Sequence, residues 1–182
     1  LDGIWSGIKL AQGGARRGET GVDLEALRKI AESLCKIPDE FNINSKLRRI
    51  LSQKETMLSS GEGIDWATAE ALAFGSLLVQ GNGVRLSGQD SGRGTFSQRH
   101  SVWTDQVNEE RYIPLNNLRE NQKNFEIIDS PLSEAAVLGF EYGFSQAEPK
   151  ALILWEAQFG DFANGAQVIV DQFISSGEDK WL

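Results

Sequence analysis

Apolar residues recur at helical spacing in the first third of the chain and in short unbroken runs after it. Residues 22–36 and 45–59 each place leucine and isoleucine on one face, which predicts two amphipathic helices. Pro38 ends the first helix, and Ser45 is expected to cap the second. Neither helix carries a residue that suggests catalysis, so together they predict a connector that packs on a neighbouring structural unit.

Beyond a change in composition at residues 59–63, helical and strand-like segments alternate. Asp65 is expected to cap a helix over residues 66–80 that is apolar nearly all round, which indicates burial. A helix over residues 132–146 separates two strand-like runs, which predicts a parallel pair of strands with a right-handed crossover. The expected strands are residues 84–87, 125–128 and 151–155.

This alternation predicts an α/β fold. We expect a three-layer sandwich with a mostly parallel sheet over residues 61–182, preceded by a helical connector over residues 1–60. A further helix is expected over residues 163–175, and residues 104–124 are polar and predict a surface excursion.

Composition narrows the class of partner. The 18 basic and 26 acidic side chains give a net charge of −8, which argues against a nucleic-acid surface. The apolar runs are too short to span a membrane, so we expect neither nucleic acid nor membrane as a partner.

The lone cysteine, Cys35, excludes an internal disulfide and fits a reducing compartment. It lies on an apolar helical pattern, which predicts a buried structural thiol. Arg16 and Arg17 lie in a glycine-rich loop that is open to two interpretations, a solvated loop or an anion site.

Glu134 is the first candidate for chemistry. Ser130 and Pro131 read as the cap and first position of the helix that follows, which places Ser133 at the position where a capping box needs its acidic residue. Glu134 then lies one position too late for that role, in an otherwise apolar helix. A carboxylate without a local role in such a helix is a candidate for proton exchange with a ligand.

Loops after the expected strands supply the other candidates. Gln89 and Asp90 follow the strand at residues 84–87, and ligands of open α/β sheets commonly bind beyond the carboxyl ends of parallel strands. Phe159 and Phe162 follow the last strand, so at least one of them is expected to face a planar ligand, although aromatic residues near a strand end also pack in cores. His100, the single histidine, lies in a loop and is either a solvated hydrogen-bonding residue or a functional one.

Collinear blocks of sequence carry a family resemblance. They are residues 61–74 (GEGIDWATAEALAF), 86–90 (LSGQD), 94–100 (GTFSQRH), 130–143 (SPLSEAAVLGFEYG) and 155–167 (WEAQFGDFANGAQ). Together they resemble the pyrimidine-binding domain of the thiamine-dependent 2-oxoglutarate dehydrogenase family. Because the chain begins at Leu1, the resemblance also implies an internal fragment, with any targeting signal out of view.

The resemblance implies thiamine diphosphate as cofactor and decarboxylation of 2-oxoglutarate, with transfer of the succinyl group to a lipoyl arm. Glu134 matches the glutamate that hydrogen-bonds the aminopyrimidine ring, and His100 is a second catalytic candidate because it lies in the matching block 94–100. Gln89, Gln158 and Phe162 would line the pyrimidine pocket, with Phe162 packing on the ring.

The resemblance also implies what the chain lacks. The family binds the diphosphate and magnesium through a Gly-Asp-Gly motif, and this sequence contains none. We therefore expect that half of the site on another domain, across a homodimer interface, and an inactive isolated fragment. The expected partner is the lipoyl-bearing succinyltransferase, and the expected location is the cytoplasm in a bacterium or the mitochondrial matrix in a eukaryote. Two alternatives stay open: the same domain acting on another 2-oxo acid, and a purely structural dimerisation domain.

Overall fold

The structure, a computed structural model, describes residues 2–9 and 18–181, so Arg16 and Arg17 lie outside the described residues. The helices are α1 (Leu24–Cys35), α2 (Ser45–Ser60), α3 (Trp66–Val79), α4 (Glu134–Ala147), α5 (Gln167–Ile169) and α6 (Gly177–Trp181). The strands are β1 (Val84–Gly88), β2 (Trp103–Thr104), β3 (Arg111–Tyr112), β4 (Phe125–Asp129) and β5 (Leu152–Glu156). Within this part of the chain, no helix is long and apolar enough to cross a membrane.

Three parallel strands form the central sheet of the described residues, in the order β4–β1–β5. Val84 pairs with Phe125 on one side and Leu152 on the other, and the register holds to the strand ends. The parallel arrangement predicted from the sequence is confirmed. One detail was wrong, because β4 and β5 are not adjacent: β1, the earliest of the three in the chain, lies between them.

The sheet is covered on both faces. Val84 and Leu86 of β1 are buried in one cluster with Phe74 of α3. Arg85 lies between them in sequence and instead bonds to Glu141 of α4. Because successive strand residues point to opposite faces, α3 and α4 lie on opposite sides of the sheet. This arrangement confirms the predicted three-layer α/β sandwich.

The connector helices pack directly on this sandwich. Ile30 of α1 fills the space beside Gly75 of α3, where a Cβ atom would come within 2.6 Å of the isoleucine Cγ2. Leu47 and Leu51 of α2 form a second buried cluster with Trp103. The predicted division of the chain at residue 60 stays a prediction, and the helices on its two sides share buried contacts.

Helix starts follow side-chain caps. Asp65 caps α3 as predicted, with its carboxylate accepting a hydrogen bond of 2.7 Å from the Thr68 amide. The expected cap of α2 was wrong by one residue, because Asn44 rather than Ser45 accepts the Lys46 amide at 3.0 Å. Asn44 thereby satisfies an amide that the first helical turn leaves without a partner.

Two further expectations meet different outcomes. Cys35 is buried as predicted, and burial, with help from Glu55, raises the pKa of its thiol to about 11. The helix expected from residue 163 was wrong at its start. The chain makes a 3₁₀ turn at Asp161–Ala163, and helical structure resumes only at Gln167, with a π-helix over Val170–Ile174.

Candidate cofactor site

The carboxyl ends of the three parallel strands lie side by side. Gly88 is paired with Asp129 of β4 and Glu156 of β5, so the loops after all three strands leave one edge of the sheet. Gly88 has a φ of 154°, and a Cβ atom there would lie 2.5 Å from the Glu156 carbonyl oxygen and 2.6 Å from Ser91 Oγ. The chain therefore approaches β5 so closely at this point that only glycine fits.

Two of the predicted site residues meet at this edge. Gln158, in the loop after β5, donates from Nε2 to the Gln89 carbonyl oxygen at 3.3 Å and to Thr95 Oγ1 at 2.9 Å. The main-chain amide of Gln158 donates to the buried carboxylate of Asp161 at 2.8 Å. The loops after β1 and β5 are thereby tied to each other. Thr95, which the sequence reasoning did not single out, is part of this link.

Glu134 is the first residue of α4, and the predicted cap at Ser130 was wrong. The Ser130 amide donates to the Gly88 carbonyl oxygen at 2.8 Å, which prolongs the contact between β4 and β1 by one residue. Ser130 is therefore still committed to the sheet, and Ser133 is the residue that precedes the helix. As the first helical residue, Glu134 lies where the helix dipole favours a negative charge.

The Glu134 carboxylate lies against Gly165 of the segment after β5. A Cβ atom at Gly165 would be 2.9 Å from Glu134 Oε2 and 3.3 Å from its Cδ. Glu134 is half-buried, and among the described residues no hydrogen-bond donor reaches its carboxylate. A carboxylate held in this way can accept a hydrogen bond from a ligand, or give a proton to one.

Phe162 offers one open ring face beside the same segment. Its ring packs edge-on against Trp155 with 5.7 Å between centroids, and 62% of the residue is exposed. Phe159, three residues earlier, is fully exposed. Of the two aromatic candidates, Phe162 is thus the one that the protein holds in a fixed orientation while leaving it accessible to a planar ligand.

Among the described residues, neither Asp90 nor His100 shares a hydrogen bond with this group. Asp90 forms a surface ion pair with Arg93. The His100 ring lines an interior cavity with Lys54 of α2 and Thr68 of α3, and among the described residues its buried Nε2 has no hydrogen-bond partner. Burial lowers the pKa of His100, and the neighbouring charges of Lys54 and Arg93 act in the same direction. The catalytic role assigned to His100 stays a prediction.

The sequence reasoning missed Arg99, which is buried behind the loops. Its guanidinium binds Glu70 of α3 and Glu156 at the end of β5. The one available signal was its place in the block 94–100, between Gln98 and His100. In the described part of the chain, no group of three His, Cys, Asp or Glu side chains is placed to hold a metal ion.

The fold and the site together define a class, the cofactor-binding α/β domains. The fold is a parallel α/β sandwich, and the carboxyl edge of its sheet carries a glutamate, an open aromatic face and two glutamines linked by a hydrogen bond. The chain belongs to the family described as the transketolase pyrimidine-binding domain, whose sequence profile matches residues 62–182.

Curated relatives place this domain in much longer proteins. The chain is 58% identical over 184 aligned residues to the 2-oxoglutarate dehydrogenase E1 components of Brucella canis, Brucella suis and Brucella abortus. Each alignment covers 100% of this chain and 18% of the relative. The chain thus spans about a fifth of the length of these relatives.

Proposed function

We propose that this chain supplies the pyrimidine-binding half of a thiamine diphosphate site in the E1 component of a 2-oxoglutarate dehydrogenase. The observation that carries the proposal is the Glu134 carboxylate, which has no donor among the described residues and lies against Gly165 at the carboxyl edge of the sheet. The 58% identity over the whole chain supports the choice of substrate.

The residues at this edge fit an aminopyrimidine ring. Glu134 would hold a proton at a ring nitrogen, and the open face of Phe162 would pack on the ring. Gln89 and Gln158 would line the pocket and fix the ring orientation. Thiamine diphosphate, when bound, supplies the ring chemistry that makes decarboxylation of a 2-oxo acid possible. The residues of this chain then bind, orient and exchange a proton at the pyrimidine.

The other half of the site is proposed to lie outside this chain. The sequence has no Gly-Asp-Gly motif, and the chain spans only 18% of the length of these relatives. We therefore assign the diphosphate and magnesium to a further domain of the full-length protein, contributed by the second subunit of a homodimer. The succinyl group would pass to the lipoyl arm of the succinyltransferase component.

Replacement of Glu134 by glutamine in the full-length protein tests the proposal. Glutamine keeps the size and some hydrogen bonding but cannot exchange the proton, so we expect cofactor activation to fall by about a hundred- to ten-thousand-fold. The measurement is hydrogen–deuterium exchange at the thiazolium carbon of added cofactor, with thermal unfolding of both proteins as control. Unchanged exchange would contradict the catalytic role, and a large loss of stability would favour a structural one.

Substrate choice needs its own measurement. We expect kcat/KM of the wild-type full-length protein to be highest for 2-oxoglutarate when it is compared with pyruvate and branched-chain 2-oxo acids. A preference for one of the latter would contradict the assignment of the substrate while leaving that of the cofactor in place.

A further inference from the structure

Arg99 joins three elements that surround the candidate site. Its Nε donates to Glu70 Oε1 of α3 at 2.7 Å, and its Nη2 donates to Glu70 Oε2 at 3.3 Å. Its Nη1 donates to the Ser91 carbonyl oxygen in the loop after β1 at 2.7 Å, and Nη2 also pairs with Glu156. The side chain is 8% exposed, so the guanidinium makes these contacts away from water.

Two of these contacts, those with Ser91 and Glu156, end two residues away from a residue proposed to line the site. Ser91 lies two residues after Gln89, and Glu156 lies two residues before Gln158. Arg99 therefore holds together the two loops that carry Gln89 and Gln158. The same loops are linked by the hydrogen bond from the Gln158 side chain to the Gln89 carbonyl oxygen. The planar guanidinium sets the separation of the loops, because its donors have a fixed geometry.

The charges make Arg99 hard to replace. One guanidinium lies between the two carboxylates of Glu70 and Glu156, so its removal would leave two like charges facing each other in a partly buried space. A lysine would restore the charge but could not bind both carboxylates and a carbonyl oxygen in the same plane.

We propose that Arg99 is a positioning residue for the pyrimidine pocket, fixing the loops after β1 and β5 so that Gln89 and Gln158 meet a bound ring. This inference rests on the proposed function for the identity of the ring. The positioning of the loops does not depend on that identity.

Arg85 provides a matched control. It is also an arginine between two carboxylates, with 12% of its side chain exposed, and it binds Glu141 at 2.8 and 3.0 Å and Glu126 at 2.6 Å. It lies near the start of β1, at the opposite edge of the sheet from the site loops. A purely structural role for a buried arginine would therefore appear equally in variants of both residues.

The experiment compares Arg99→Lys, Arg99→Met and Arg85→Met in the full-length protein. Without cofactor, amide hydrogen exchange followed by mass spectrometry should accelerate over residues 89–95 and 157–165 in both Arg99 variants and stay as in wild type for Arg85→Met. With cofactor, the Kd for thiamine diphosphate from calorimetry should rise by about tenfold or more in the Arg99 variants alone, because displaced pocket groups lose their geometry. Thermal stability should fall in both methionine variants.

The outcomes separate the two hypotheses. If wild type does not bind thiamine diphosphate, the proposed function fails, and the exchange data still test the positioning role. If wild type binds it but Arg99→Lys exchanges and binds like wild type, the positioning role is wrong. Equal changes in the Arg99 and Arg85 variants would also overturn it. Should Arg99→Met fail to fold, Arg99→Lys, which keeps the charge, decides the result.

Discussion

At the scale of single residues, the Glu134 carboxylate occupies space that is open only because Gly165 has no side chain. In Gly165→Ala the new methyl group would lie 2.9 Å from Oε2, closer than a normal contact, so the carboxylate must move. Overpacking of this kind costs about 1–3 kcal/mol, and we expect the Kd for thiamine diphosphate in the full-length protein to rise by roughly tenfold. Calorimetric titration measures the change.

Gly143 supplies the control for that substitution. It lies on the same helix as Glu134, and a Cβ atom there would meet nothing within 4 Å. Gly143→Ala should keep the wild-type affinity and stabilise α4 by about 0.5–1 kcal/mol, because alanine favours the helix. Equal affinities for the Gly165→Ala and Gly143→Ala variants would mean that Gly165 does not position the carboxylate.

His100 gives a prediction about pH. Burial lowers its pKa below the usual 6.5, so below pH 6.5 the unfolded chain binds more protons than the folded one. Stability contributed by the neutral ring is therefore fully present above pH 6.5, the pKa of the histidine in the unfolded chain. It is lost as the pH falls from there through the lower pKa of His100 in the folded protein. Urea unfolding between pH 7.5 and 5.5 should show a steeper loss for wild type than for His100→Gln. Parallel pH profiles would contradict the prediction.

The limits of sequence reasoning are clearest at Ser130. The Ser-Pro pair is a sound local signal for a helix start, and the chain overrides it because the Ser130 amide bonds to Gly88, a residue 42 positions earlier. Gln89, Gln158 and Glu134 could be chosen from strand ends and from a family resemblance. Arg99 could not, since its meaning depends on Glu70 and Glu156, which only the folded chain brings together.

At the scale of elements, a buried ion pair helps to hold α4 on the sheet. Glu141 is 4% exposed and accepts two hydrogen bonds from Arg85, whose guanidinium also lies over the rings of Phe140 and Phe144. The apolar pattern predicted the helix but not this pair, because its members are 56 residues apart. This pair thus holds α4 at the end of the sheet opposite to the site loops.

Breaking that pair should destabilise the fold without touching the site directly. Glu141→Ala leaves the Arg85 guanidinium with only Glu126, and loss of one partner from a buried pair costs about 3–5 kcal/mol. Urea unfolding of the 182-residue chain measures it, with the exposed Glu148→Ala at the end of α4 as the control, expected within about 0.5 kcal/mol of wild type. A loss below 1 kcal/mol for Glu141→Ala would show that packing alone holds α4.

At the scale of the whole molecule, the order of the sheet follows from tertiary contacts rather than from sequence. The periodicity and the helix between β4 and β5 predicted parallel strands and three layers, and both are confirmed. Nothing local says that β1 separates β4 from β5. That order matters for the site, because it places the Gly88–Gln89 loop between Ser130 and Gln158.

Large apolar side chains gather at the same edge as the candidate site. Leu132, Phe96 and Phe159 follow β4, β1 and β5, and each is at least 79% exposed. Trp66, 92% exposed, begins α3 and lines a groove with Gln98. Where exposed side chains of this kind form a contiguous surface, they mark an interface in soluble proteins. We propose that it is covered by the diphosphate-binding domain of a second copy of the full-length chain.

The isolated 182-residue chain should therefore either self-associate or leave this surface open. Sedimentation velocity should show a concentration-dependent dimer, or a monomer that binds the dye anilinonaphthalene sulfonate, because uncovered apolar surface attracts either a second copy or the dye. Replacing Leu132 and Phe159 by serine should reduce both effects, while serine at Ile4, another exposed apolar residue, in the N-terminal 3₁₀ turn, should leave them unchanged. A strict monomer without dye binding would contradict the prediction, since the surface would then need no partner to cover it.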